Sequence, residues 1–172
     1  METINRTVCA DQFAGSRLLA VYEWPGLARF LEATMGAARL YTMADPLARV
    51  NVMSYRHGEA LNWHFDRSEF TSTLLLQQPV EGGEFEFRPG LRTDDDPSYD
   101  AVGRLVAGHD PAVQRHRCRP GTFTVFTGRN TAHRVTAVSG DTDRVIAVFS
   151  FFDRPGVMFS ADERIGFYGR SG

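Results

Sequence analysis

His64-Phe65-Asp66, followed by His133 and then Arg144, is the set of residues whose types and order could do chemistry in this chain. Two histidines and one carboxylate can occupy one face of an octahedral metal and leave three positions open, the arrangement that suits non-haem iron(II). A downstream arginine adds a fixed cation whose planar guanidinium can pair both oxygens of a carboxylate held beside that metal.

The His-x-Asp spacing alone carries little weight. Five His and 21 acidic residues in 172 positions give roughly 0.6 His-x-Asp/Glu pairs by chance, and the chain holds a second one, His57-Gly58-Glu59. Side chains at i and i+2 share a face only where the backbone is extended. His64 and Asp66 alternate with Trp63 and Phe65 in a strand-like run, whereas Gly58 makes the rival pair read as a turn, so His64 and Asp66 are favoured. Of the remaining histidines, His109 precedes Asp110-Pro111 in a loop and His116 sits among arginines. His133 opens an alternating run after a turn at Gly128-Arg129-Asn130, and Arg144 begins the next run, on a neighbouring antiparallel strand that would carry its guanidinium back beside the site. Any one of these histidines, taken singly, reads more readily as a hydrogen-bonded core or surface residue. It is the ordered set, each member on an expected strand, that points to a metal centre.

The elements needed to position such a set are mostly β. Residues 1–48 read as helical and loop material, with an apolar run at 16–22 and a helix that starts at Pro25 and stops at Gly36. From residue 49 short β-type runs follow at 50–55, 61–65, 70–77, 83–88, 121–127, 132–138 and 144–152, divided by Gly, Pro and Asp. Helices do not alternate with these runs, so the expected fold is a double-stranded β-helix, a jelly roll, with N-terminal helices packed on the sheet. One domain over 1–172 is expected: helical support at 1–48, a core at 49–152, and a C-terminal extension at 153–172. The connection 89–115, with a helix near 99–107, has the length of a functional flap.

Composition narrows the partners. A net charge of −2 and a pI near 6.2 give no global basic field, which argues against nucleic acid and anionic membranes as partners. All 19 cationic side chains are Arg, so Schiff-base and P-loop lysine chemistry are excluded. Cys9 and Cys118 lie far apart without zinc-like spacing, and no 18-residue apolar run occurs, as expected of a reduced cytoplasmic protein.

Over residues 51–152 the chain resembles the iron(II)/2-oxoglutarate-dependent dioxygenases. The run from Tyr55 through Gly58 and Leu61 to His64 and Asp66 is similar to the Y-x-x-G-x-x-Y-x-x-H-x-D motif of prolyl-hydroxylase-like members, with Leu61 where a second Tyr would stand. Glu81-Gly82-Gly83-Glu84-Phe85-Glu86-Phe87 resembles their G-G-x-x-x-F strand, and Pro120-Gly121-Thr122 their turn before the distal His. Within that superfamily, the run His64-Phe65-Asp66-Arg67-Ser68-Glu69-Phe70 and His133-Arg134-Val135 look closest to the bacterial group that hydroxylates or halogenates free amino acids. The resemblance implies Fe(II) held by His64, Asp66 and His133, 2-oxoglutarate as co-substrate with Arg144 on its distal carboxylate, and O2 as oxidant. Halogenating members of that group carry a small residue at the carboxylate position, so Asp66 implies hydroxylation or another oxidation of an unactivated C–H bond in a free amino acid or related metabolite. A peptide or protein side-chain hydroxylase, and a non-catalytic cupin-like metal-binding protein, are the alternatives.

Other residues carry two readings each. Tyr55 and Thr73 are hydroxyl partners for 2-oxoglutarate or ordinary strand residues, since alternation puts Thr71, Thr73, Leu75 and Gln77 on one face. Glu84 and Glu86 are expected to point to water. Asp94, Asp95 and Asp96 read as a solvated loop or as contacts for a cationic substrate, and Arg115, Arg117 and Arg119 as the exposed face of an edge strand.

Overall fold

The computed structural model describes residues 3–68 and 70–172, so Glu69 of the 64–70 run lies outside the described residues. In chain order the strands are β1 (Arg6–Cys9), β2 (Tyr41–Thr42), β3 (Val50–Tyr55), β4 (Leu61–His64), β5 (Phe70–Gln77), β6 (Glu81–Gly82), β7 (Phe85–Arg88), β8 (Gln114–His116), β9 (Phe123–Phe126), β10 (Ala132–Val135), β11 (Val138–Ser139) and β12 (Arg144–Phe152). The α-helices are α1 (Arg17–Glu23), α2 (Pro25–Met35), α3 (Tyr99–Val106) and α4 (Ala161–Tyr168). A major antiparallel sheet runs β1-β3-β12-β5-β9, with β2 added to the end of β12, and a minor sheet runs β4-β10-β7-β8. The fold is the expected jelly roll.

Period-2 alternation assigns each face of the major sheet its task. On β12, Ala147, Phe149 and Phe151 join Tyr22, Leu31 and Val50 in the core beneath the helices. The alternate residues Arg144, Ile146, Val148, Ser150 and Phe152 face a cavity between the sheets. The helices are fixed by their ends: Ser16 Oγ accepts from Leu19 N, Pro25 opens α2, and Gly36 closes it with a left-handed φ of 66°. The buried Tyr22 hydroxyl ties them to the sheet, donating to Ser150 O and accepting from Met43 N, both at 2.7 Å.

Three expectations need correction. The first 48 residues are not all helix and loop, because β1 pairs with β3 and β2 with β12; four- and two-residue strands are too short to show a period. Glu86 does not face water: it is 2% exposed, in a cross-strand row with Arg134 on β10 and Arg115 on β8. The two guanidiniums, with Arg134 Nε at 2.5 Å, outweigh the cost of burial and hold its carboxyl below the usual carboxylate range. Nor is 89–115 a free flap, since Leu105 of α3 and Leu91 pack with Ala132, Trp63 and Phe65 on the outer face of the minor sheet. Among the described residues, no helix is long and apolar enough to cross a membrane.

Candidate metal centre

His64 ends β4 and His133 lies directly opposite it on β10, with ring centroids 4.0 Å apart. Asp66 lies just past the end of β4, where its backbone N–H donates to Gly128 O at 3.0 Å and turns the carboxylate back toward both rings. Asp66 Oδ1 is 3.5 Å from His64 Nε2, and Oδ2 is 3.5 Å from His133 Nε2. One atom from each residue falls within 4.8 Å of the others, so a single ion can touch all three. His109 and His116 take no part, and neither does the rival pair. His57 Nδ1 accepts from Gly140 N, and Glu59 accepts from Arg6 and from the Arg56 N–H.

The ring nitrogens are set for ligation. His64 Nδ1 is 2.8 Å from Asn62 O and His133 Nδ1 is 2.9 Å from Thr131 O. A carbonyl can only accept, so Nδ1 carries the proton and Nε2 of the neutral ring presents its lone pair to the centre. Burial works against ionised Asp66, yet the imidazoles of His133 and His64 beside it and the Thr71 hydroxyl that donates to it outweigh this and hold the carboxyl far below its ordinary value. Burial likewise opposes a charged His64, and the same carboxylate reverses this and raises its pKa. Two imidazoles and an anion so close together form a donor set with a place for a cation.

Arg144 lines the same cavity, which measures about 640 Å³. It does not arrive on a strand next to His133, as the spacing suggested: β12 belongs to the facing major sheet, and Arg144 reaches across from the position paired with Tyr55. It is 2% exposed, its Nε donates to Gly83 O at 3.0 Å, and its guanidinium lies 5.7 Å from the Tyr55 ring centroid. Nη1 is buried without a hydrogen-bond partner among the described residues, and no carboxylate pairs with the group. Burial pushes its pKa down. An unpaired buried guanidinium is costly unless a ligand supplies the anion, so the residues present fit a carboxylate at this point. Gly83 makes the approach possible: its φ is 61°, and a Cβ there would meet Arg144 Cδ at 2.9 Å.

Tyr55 and Thr73 both line the cavity. Tyr55 is almost fully buried, with its hydroxyl 3.8 Å from Met53 Sδ, and burial pushes it up to about 12 against the opposing charge of Arg144. Sequence reasoning missed two neighbours of Asp66. Thr71 Oγ1 donates to Asp66 Oδ2 at 2.5 Å, with Ser68 Oγ 3.0 Å behind it. A Cβ at Gly128 would run into Asp66 Oδ2 and Thr71 Oγ1. Thr71 shares a face with Thr73, so alternation could not separate them, and Gly128 read only as a turn residue. The aromatic residues Phe159, Phe167 and Tyr168, on and before α4, line the cavity as well and carry no motif.

The chain belongs to the Halogenase D family, whose model matches residues 1–157. No curated protein matches it. Among solved structures it is similar to AviO1 from Streptomyces viridochromogenes Tue57, with a TM-score of 0.66 at 16% identity over 87% of this chain and 67% of that one. SnoK, the non-haem α-ketoglutarate-dependent carbocyclase of nogalamycin biosynthesis, gives 0.62 at 17% over 91% and 68%. An oxidoreductase of the 2OG-Fe(II) oxygenase family from Burkholderia pseudomallei gives 0.59 at 17%, and there the match covers 81% of this chain and 58% of that protein. At these identities the likeness is one of fold.

Proposed function

We propose that the protein is an iron(II)- and 2-oxoglutarate-dependent oxygenase that hydroxylates an unactivated C–H bond of a small molecule, a free amino acid or related metabolite. One observation carries this reading: a carboxylate lies 3.5 Å from the Nε2 of each of two histidines, in a cavity also lined by a buried arginine whose Nη1 has no partner among the described residues. His64, Asp66 and His133 would hold the metal and Arg144 the distal carboxylate of 2-oxoglutarate, with Tyr55 and Thr73 beside it. Iron(II) with 2-oxoglutarate and O2 supplies an oxidant strong enough to break such a bond. The chain's own residues place the co-substrate, keep both imidazoles in the ligating tautomer, and line the reaction space between two sheets and α4.

Asp66 supports hydroxylation over halogenation in this reading. A halogenase of the related group leaves the carboxylate position to a small residue, so that halide can bind there. Here the position is filled by a carboxylate that Thr71 and Gly128 hold in place. Another oxidation is the alternative outcome, since one protein of similar fold is a carbocyclase. Aerobic turnover with chloride or bromide present should form succinate together with an oxygenated product and no halogenated one. A halogenated product from the unaltered protein would overturn the assignment.

A further inference from the structure

A second cleft, of about 540 Å³, shares Asp66 as a wall with the metal centre and is bounded by Arg67, Arg92, Thr93, Asp94, Pro97 and Arg129. The three arginines differ in what they are committed to. Arg67 pairs with Glu163 of α4 and lies against Phe167, and Arg129 stands 3.7 Å from the exposed Asp94. Arg92 has no carboxylate within ion-pair distance among the described residues, yet its guanidinium is held in a fixed plane. It stacks 3.7 Å from the centroid of Phe65, the residue between His64 and Asp66. Its Nε donates to Arg129 O at 2.8 Å, while its own carbonyl accepts from Asn130 Nδ2 at 3.0 Å. The 91–92 segment is thus bolted to the turn that leads into β10, and the remaining edge of a preoriented guanidinium is left for an anion. The acidic residues that might have received a cation are otherwise engaged: Asp94 faces Arg129, and Asp96 accepts from Ser98.

We infer that this cleft is the docking site for an acidic group of the prime substrate, with Arg92 as the anchor and Arg129 beside it, so that the substrate is an acid presenting its carbon chain to the metal across Asp66. Compounds whose charge is only positive are disfavoured there by the same arginines. The inference rests on the oxygenase reading and names the substrate class for it.

The test uses the anaerobic protein with Fe(II) and 2-oxoglutarate, whose visible absorption band reports the loaded site, and follows the change in that band as probes of one chain length are added. Pentanoate is expected to perturb it at concentrations at least tenfold lower than pentylamine, and pentyl phosphate against pentanoate distinguishes a phosphate from a carboxylate. In Arg92→Gln the band itself should form at the same Fe(II) and 2-oxoglutarate concentrations, while the acid's half-saturating concentration rises at least tenfold. Arg129→Gln should raise it less, and thermal melting of both variants checks folding. Equal response to acid and amine, no response to either acid, or unchanged acid binding in a folded Arg92→Gln would overturn the inference. If the band never forms in the unaltered protein, it is the oxygenase reading that falls.

Discussion

His57-Gly58-Glu59 and His64-Phe65-Asp66 are the same pattern repeated seven positions apart, and the fold sends them to opposite ends of usefulness. At the first, Gly58 takes a φ of 80° and the two side chains part: the imidazole caps a neighbouring loop and the carboxylate ties down Arg6. At the second, β4 aims His64 between the sheets beside its partner on β10, and the chain then turns so that Asp66 faces both rings. What separates them is less the ligand types than what stands around each carboxylate. Glu59 meets arginines and one backbone N–H that satisfy it, whereas Asp66 meets two imidazoles with their lone pairs turned inward.

The comparison breaks most visibly at the ligands. Asp66→Ala and His133→Ala should each weaken metal binding by more than the roughly 10- to 100-fold typical of losing a hydrogen-bonding partner of a ligand, measured by titration with Fe(II) or Co(II). His57→Ala should leave that affinity unchanged. Arg144→Gln should raise the half-saturating 2-oxoglutarate concentration by roughly 10- to 150-fold, the equivalent of about 1.5–3 kcal/mol for hydrogen bonds to a charged group, with metal affinity held. Thr71→Val and Gly128→Ala disturb the carboxylate without touching a ligand. Each should cost about tenfold in metal affinity, and Thr71→Ser should restore what Thr71→Val loses.

The smallest effects belong to the satisfied carboxylates. Glu59→Gln should cost roughly 1 kcal/mol of stability or less, since Arg6 is half exposed. Glu86 and Glu59 both have folded pKa values depressed below the usual 4.5. Their contribution is therefore fully present above that value and is lost as pH falls through the lower folded ones. Glu86→Gln should flatten the acid limb of a melting-temperature profile and leave the profile near neutrality parallel to that of the unaltered protein.

Much of this was legible in the chain. The seven β runs, Pro25 and Gly36 as helix bounds, and the separation of His64 from His57 all follow from local backbone preference, which a sequence displays directly. The fold class follows from their order. What stayed hidden depends on pairing across the two sheets. Arg144 reaches the cavity from the major sheet, and Thr71 was indistinguishable from Thr73 until β5 was placed against the loop carrying Asp66. Glu86 looked like a solvent-facing residue because its two neutralising arginines lie 29 and 48 positions away. Gly128 showed its turn and hid its second task, giving room to a carboxylate.

The most direct test is the visible band formed anaerobically with Fe(II) and 2-oxoglutarate, compared in the unaltered protein, Asp66→Ala and Glu59→Ala. The expected result is a band in the first, its loss in Asp66→Ala, and its retention at full strength in Glu59→Ala. A band that survives Asp66→Ala and disappears in a folded Glu59→Ala, or one that forms in none of the three, would contradict the assignment of His64, Asp66 and His133 as the iron site.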